Sequence, residues 1–205
     1  MYFSEICKIR KSEMQPVIGI VLAEILKTIA AESGVKPQTA PVEKDFSLDS
    51  DSDDGQEQLV GMDVETSFLD EKTAAICTLG VMSLHCSKLI FPHMATIITS
   101  LQGVSQYFHE NVRYHVCLTL TQISFGLQRL FTHQEDSDAK FEWSPGFPVK
   151  NPLDPKTVEY LKEYVYPHFC TVFQQETSKE VVEKVLECIR DLAEEFGPAG
   201  VETNI

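Results

Sequence analysis

The stretch MATIITSLQGVSQYFHENVRYHVCLTLTQISFGLQRLF, residues 94–131, decides the fold. Met94, Ile97, Ile98, Leu101, Val104 and Phe108 fall three to four residues apart, the spacing of an apolar stripe along one face of an α-helix. After a break at His109 the stripe restarts as Val112, Val116, Leu120, Ile123, Leu127 and Leu130. Two stripes joined by so short a connection predict an antiparallel helix pair, because neither helix can bury its face alone. The pairing recurs along the chain. The spacing therefore predicts an all-α protein built as a superhelical solenoid of helix pairs. Such arrays serve as binding scaffolds, which argues for a surface and against an enclosed active site.

Working outward from this pair, Met1 to Arg10 reads as the tail of a helix and Lys11 to Glu13 as a connection. Met14 to Glu32 is the next helix, with Ile18, Leu22, Ile25 and Ile29 on one face. Pro16 sits in its first turn, where a missing N–H costs little, and Gly34 and Pro37 end it. Helix returns near Val64, with Leu69, Ile76, Leu79, Met82 and Cys86 on one stripe, and Phe91-Pro92 opens the helix that runs to about Phe108. Beyond Phe131 a proline-rich stretch precedes helices from about Lys156 to Gln175 and from about Lys179 to Phe196. The last is closed by Gly197-Pro198. Its stripe of Val182, Val185, Ile189 and Leu192 has no following helix to cover it and is expected to be exposed. No alternating strand pattern of useful length is present.

The resulting division is a partial helix pair at 1–36, an acidic mobile loop at 37–63, helices at 64–131, a proline-rich loop at 132–155 and helices at 156–205. Two helices per unit give a period of about 40–47 residues, that of HEAT or armadillo arrays. The acidic loop holds Asp45, Asp49, Asp51, Asp53, Asp54 and Glu57, with Ser47, Ser50 and Ser52 between them. It has no apolar period with which to offset the entropy of ordering, so mobility is expected. The Asp49, Asp51, Asp53 spacing resembles the start of an EF-hand loop. The sixth loop position, however, is Asp54 where the motif needs glycine, and the twelfth is Val60 where it needs glutamate, so calcium is not expected.

The 205 residues carry a formal net charge of -14, which repels nucleic acid and anionic membranes and favours basic partners. Six cysteines, none in a C-x-x-C, lie in apolar helical stretches, where a thiol packs as a small hydrophobe. With no apolar leader in Met1 to Lys11, a reducing intracellular setting is the reading. His109 and His115 do not share a helix face, and His85 and Cys86 diverge, so no metal set is expected. Cys117 with His115 is the one imaginable nucleophile pair, but two residues apart on a helix they point in different directions. No phosphate-binding loop, nucleophile elbow or dinucleotide fingerprint is present. Asp70-Glu71-Lys72 is expected on a solvated face near a helix start.

The run from Val64 to Ala75, VETSFLDEKTAA, resembles a segment of importin-beta (karyopherin-beta) nuclear transport receptors, in which an acidic linker precedes a helix of similar pattern. The junction YFHENVR, Tyr107 to Arg113, looks like the same receptors' next inter-helix turn. The acidic loop, the "DEK" helix, the Phe-Pro helix start and this junction occur in the family's order, and the nearest branch in pattern carries histones and ribosomal proteins. The likeness is strongest over Asp45 to Arg129 and covers a piece of a much longer receptor. It implies a HEAT-repeat superhelical solenoid without catalysis, metal or cofactor, shuttling between cytoplasm and nucleus. Basic cargo would be held by the acidic loop (Asp45, Asp49, Asp51, Asp53, Asp54 and Glu57). Met14 to Glu32, Pro92 to Phe108 and Lys156 to Gln175 would be the inner helices. Nucleoporin Phe-Gly repeats and Ran-GTP would be partners of the full-length receptor, with no direct nucleic acid and no membrane. The alternative is a HEAT scaffold or regulatory subunit of another complex.

Overall fold

The computed structural model describes residues 2–32, 66–132 and 153–200, together with the strands at 35–39 and 59–64. Among the described residues the protein is predominantly helical. Its helices are α1 (Tyr2–Arg10), α2 (Gln15–Ala30), α3 (Thr66–His85), α4 (Ser87–Ile90), α5 (Met94–Val104), α6 (Glu110–Phe131), α7 (Pro155–Tyr160), α8 (Tyr166–Gln175) and α9 (Lys179–Phe196).

Helices α1, α3, α6 and α9 lie side by side in chain order, and α2, α5 and the α7–α8 rod form a second row across them. The core lies between the rows. It is built from Ile18, Leu22, Ile25 and Ile29 of α2, Ile76, Leu79 and Met82 of α3, and Val112, Val116, Leu120 and Ile123 of α6, all buried. Burying one such side chain stabilises by about 1.5–3 kcal/mol, so the apolar stripes dominate the energetics. The α6 stripe falls where the sequence puts it from Val112 to Leu127, while Leu130 is only partly buried. Phe108, expected to close the α5 stripe, instead lies beyond the helix end at Val104 and is half exposed. The helix expected from Pro92 starts at Met94, after a tight turn at Phe91–His93.

Where α3 meets α6 the side chains are small. A Cβ on Gly126 would sit 2.0 Å from the Ser83 carbonyl oxygen, so the two backbones approach closely there. Ser83, Thr119, Thr121 and Ser124 are buried in or beside this seam, and their hydroxyls donate to helix carbonyls, as Thr119 does to Ile76 at 3.0 Å. Buried hydroxyls without such partners would cost free energy.

Three features depart from expectation. First, Val35–Thr39 (β1) pairs antiparallel with Leu59–Val64 (β2), Val35 opposite Val64, so both ends of the segment read as a loop form a two-stranded ladder. Pro37 in β1 is tolerated on a two-stranded ribbon because each strand has a free edge. Second, the helix expected over 156–175 contains a widened turn at Leu161–Val165. Pro167 cannot donate to the Glu163 carbonyl, and the widened turn lets the rod continue past that missing bond. Third, α9 buries Val181, Val185, Cys188, Leu192 and Phe196 against the rest of the core. The stripe expected to face solvent is thus covered at Val185 and Leu192, and the exposed apolar residue is Leu186. Gly197 ends α9 with φ 64°, a conformation open to glycine at little cost.

Candidate functional site

The acidic residues singled out by the sequence, Asp45, Asp49, Asp51, Asp53, Asp54 and Glu57, lie outside the described residues. Within the described residues one extended concave feature is a groove along the second row, and a separate apolar hollow of about 460 Å³ lies between α2 and α3. Helices α2 and α5 pack side by side, whereas α5 and the α7–α8 rod stand apart with α6 as the floor. Three hollows join end to end between them.

The middle hollow, about 190 Å³, has Ile98, Leu101, Gln102 and Gln106 on the α5 wall. Val116 and Leu120 form its floor, and Glu163, Tyr164, His168 and Thr171 its other wall. At one end it shares Glu163 and Tyr164 with a hollow lined by Phe91, Met94, Phe131, Lys156 and Glu159. At the other it shares Gln106 and Thr171 with a polar hollow of about 280 Å³ between the α5–α6 and α8–α9 turns.

The floor is apolar because α6 turns its core stripe partly toward the groove. The walls are polar because Gln102, Glu159 and Glu163 fall on exposed helical faces and Gln106 is exposed in the turn after α5. Phe91 and Phe131 meet edge to face at 5.4 Å, and the Lys156 ammonium sits 4.8 Å over the Phe131 ring. Lys156 is thus seated at one end, while Glu159 and Glu163 follow one helical turn apart along the wall. The groove combines an apolar bed, amide side chains able to bond a peptide backbone and a carboxylate rim.

Both ends of the second row are held by cations from the first. Arg113, in the first turn of α6, donates to the Tyr107 and Phe108 carbonyls at 2.6 and 2.9 Å, and its other nitrogens form a two-point bridge to Glu176 at 2.6 and 2.8 Å. Glu176 also accepts the Thr177 and Ser178 N–H groups at the start of α9. The Arg113 bridge holds its carboxyl down at about 2. Lys72, expected on a solvated face, is 1% exposed. Its ammonium donates to the Ile29 and Ala31 carbonyls at the end of α2 and lies 5.3 and 5.0 Å from the Phe68 and Tyr107 rings. Lys72 and Arg113 do similar work one helix pair apart: Lys72 satisfies carbonyls at the end of α2, and Arg113 those of the turn that follows α5. Residues of the DEK and FHENVR segments therefore have a structural task.

Cys117 and His115 do diverge, and each meets another partner. Cys117 Sγ is 3.4 Å from His168 Nε2, and His115 Nδ1 is 2.9 Å from Cys77 Sγ. Burial raises both thiols and lowers both imidazoles, with Lys184 lowering His115 further; His168 falls to about 4. At neutral pH the proton stays on sulfur, so neither pair is a primed thiolate. Among the described residues no group of three or more His, Cys, Asp or Glu side chains is placed to hold a metal, and no single helix is long and apolar enough to cross a membrane. No family model and no curated protein matches the chain.

Proposed function

We propose that the chain is a segment of a HEAT-type nuclear transport receptor of the importin-beta kind, in which the α5–α8 groove and the acidic segment together hold a lysine- and arginine-rich polypeptide such as a histone tail or ribosomal-protein segment. The observation that carries this reading is the groove's chemistry. Glu159 and Glu163 stand on the rim of an apolar channel, and among the described residues the cations in its lining are Lys156 and Arg113, the latter bridged to Glu176. A net charge of -14 adds a long-range field of the same sign. The two rows of alternating helices fit a helical-repeat array, and the groove lies among the second-row helices that the resemblance marks as inner. The reading is non-catalytic, and it extends to the full-length receptor the partners of that family, Phe-Gly nucleoporin repeats and Ran-GTP, with shuttling between cytoplasm and nucleus.

The test is titration of the chain with a fluorescent Lys/Arg-rich peptide at several salt concentrations. Charge reversal at Glu159 and Glu163, and separately Asn at Asp49, Asp51, Asp53 and Asp54, should each weaken binding and flatten its salt dependence. At roughly 0.5–1 kcal/mol per exposed charge pair, the four-residue variant should lose about tenfold or more. Binding with an unchanged salt slope in both variants would leave the array as a scaffold for some other partner.

A further inference from the structure

One end of the groove is built differently from the rest. There a hollow of about 250 Å³ has Phe91, Met94 and Phe131 on one side and Glu159 and Glu163 on the α7–α8 rod opposite. Phe91 and Phe131 meet edge to face, which holds the two rings as a unit. The Lys156 ammonium sits 4.8 Å over the Phe131 ring, within the range of a cation–π contact. Among the described residues that ring is the one group the ammonium meets, although Glu159 lies one turn along the same helix. Asp154 caps this turn by accepting the Lys156 backbone N–H and does not pair with the ammonium. The first turn of a helix also carries the positive end of the macrodipole, which disfavours a cation there. Lys156 is exposed, and so are Glu159 and Glu163, neither of which is ion-paired among the described residues. The hollow therefore offers a π-face, an apolar wall for an aliphatic stem and two carboxylates, and its present occupant reaches the π-face alone.

We propose that this end of the groove is a seat for one arginine or lysine side chain of a bound polypeptide, and that Lys156 occupies it as a built-in competitor which the incoming side chain displaces. The inference rests on the reading of the groove as the bed of a basic polypeptide, and it names the residue type this end selects. Glu163 lines both this hollow and the middle one, so the seat opens directly onto the rest of the channel. An incoming side chain passes Glu163, lays its stem along Met94 and places its charged head over the Phe131 ring. From there it pairs with Glu159 and Glu163, the two carboxylates that Lys156 leaves unused. Arginine fits better than lysine, because its planar guanidinium stacks on a ring and forks onto a carboxylate at the same time.

Lys156 then tunes the groove in two ways. It fills the seat while the groove is empty, so a ligand without a strong cation gains nothing there. It also sets a threshold, since a ligand must outbid an internal cation that is already tethered in place. Removing it should tighten binding, the opposite of what the loss of a contact residue does.

The test compares Lys156→Gln with Lys162→Gln, each of which removes one exposed positive charge from the same rod. The folded chain is titrated with acetyl-arginine amide while the ring protons of Phe91 and Phe131 are followed by NMR, and separately with the fluorescent Lys/Arg-rich peptide. Lys156→Gln should bind both probes roughly two- to fivefold more tightly than the unaltered chain, the worth of an exposed cation–π contact. Lys162→Gln should gain much less, and adding Phe131→Leu to Lys156→Gln should abolish the gain. Equal gains in the two lysine variants would mean a general charge effect and overturn the proposal. Peptide binding without any response of the two rings in Lys156→Gln keeps the larger reading of the groove and overturns the seat. A ring response to the amide with no binding of the peptide upholds the seat and overturns the larger reading. Both lysines are exposed, so the comparison does not depend on a core variant folding.

Discussion

Arg113 and Glu176 join two inter-helix turns that are 63 residues apart in the chain, by a two-point bridge in which both side chains are largely buried. Because Arg113 also holds the Tyr107 and Phe108 carbonyls, the pair fixes the α5–α6 turn and the start of α9 with one guanidinium. Glu176→Gln keeps the shape but leaves the Arg113 charge unpaired. It should destabilise by about 2–4 kcal/mol, more than Arg113→Met combined with Glu176→Leu, which removes both charges. Denaturant unfolding of the three variants checks the order.

Two imidazoles lowered by burial, His115 and His168, and the bridged Glu176 give the fold a stepped acid profile. His168 titrates near 4 in the fold and near 6.5 when unfolded, so the unfolded chain binds the extra proton between those values, and stability falls as pH drops from about 6.5 to 4. Glu176, at about 2 against an ordinary 4.5, contributes stability above pH 4.5 that is lost as pH falls toward 2. Melting temperature against pH should show both declines. His168→Gln should reduce the upper decline, leaving the part due to His115, and should not change the lower one; the His168 ring protons should titrate by NMR near pH 4.

Gly126→Ala should cost about 1–3 kcal/mol or more, since its methyl meets the Ser83 carbonyl and that atom cannot rotate away. Gly103→Ala on α5 has open space around its new methyl and should stabilise by about 0.5–1 kcal/mol through helix propensity. Thermal melts of the two variants moving the same way would contradict the close approach of α3 and α6.

Lys72→Met preserves much of the packing against Phe68 and Tyr107 but leaves the Ile29 and Ala31 carbonyls without their ammonium donor. A loss of about 1–3 kcal/mol is expected, with faster amide exchange in the last turn of α2. Loss of exchange protection confined to α3 would place the defect elsewhere.

Helices were legible wherever a stripe had a uniform period, as in α2 and α6, because burial and periodicity agree there. On α9 the buried face centres on Val181, Val185 and Cys188, one position away from a stripe drawn through Val182 and Ile189, because Val181, Val182 and Val185 are all apolar and only the packing against α6 chooses between them. The β1–β2 ladder was illegible: Val35–Thr39 carries Pro37 and Leu59–Val64 carries Gly61 and Asp63, so neither alternates. Lys72 reads as a surface residue from its neighbours Asp70 and Glu71, and only the position of the α2 carbonyls reveals its burial. The groove could not be foreseen, since it arises from the gap between α5 and the α7–α8 rod, a long-range relationship without a local signature.

The placement of α6 has a bearing on how the molecule comes apart. In a stack whose members touch only their nearest neighbours, the ends can peel away while the middle stands. Here one helix packs against α3, α4, α5, α7 and α9 at once. No boundary on either side of α6 divides the described helices into halves that keep their own cores. The chain should therefore lose its structure in a single concerted event, and a lesion in α6 should be felt at once by α3 on one side and by α9 on the other.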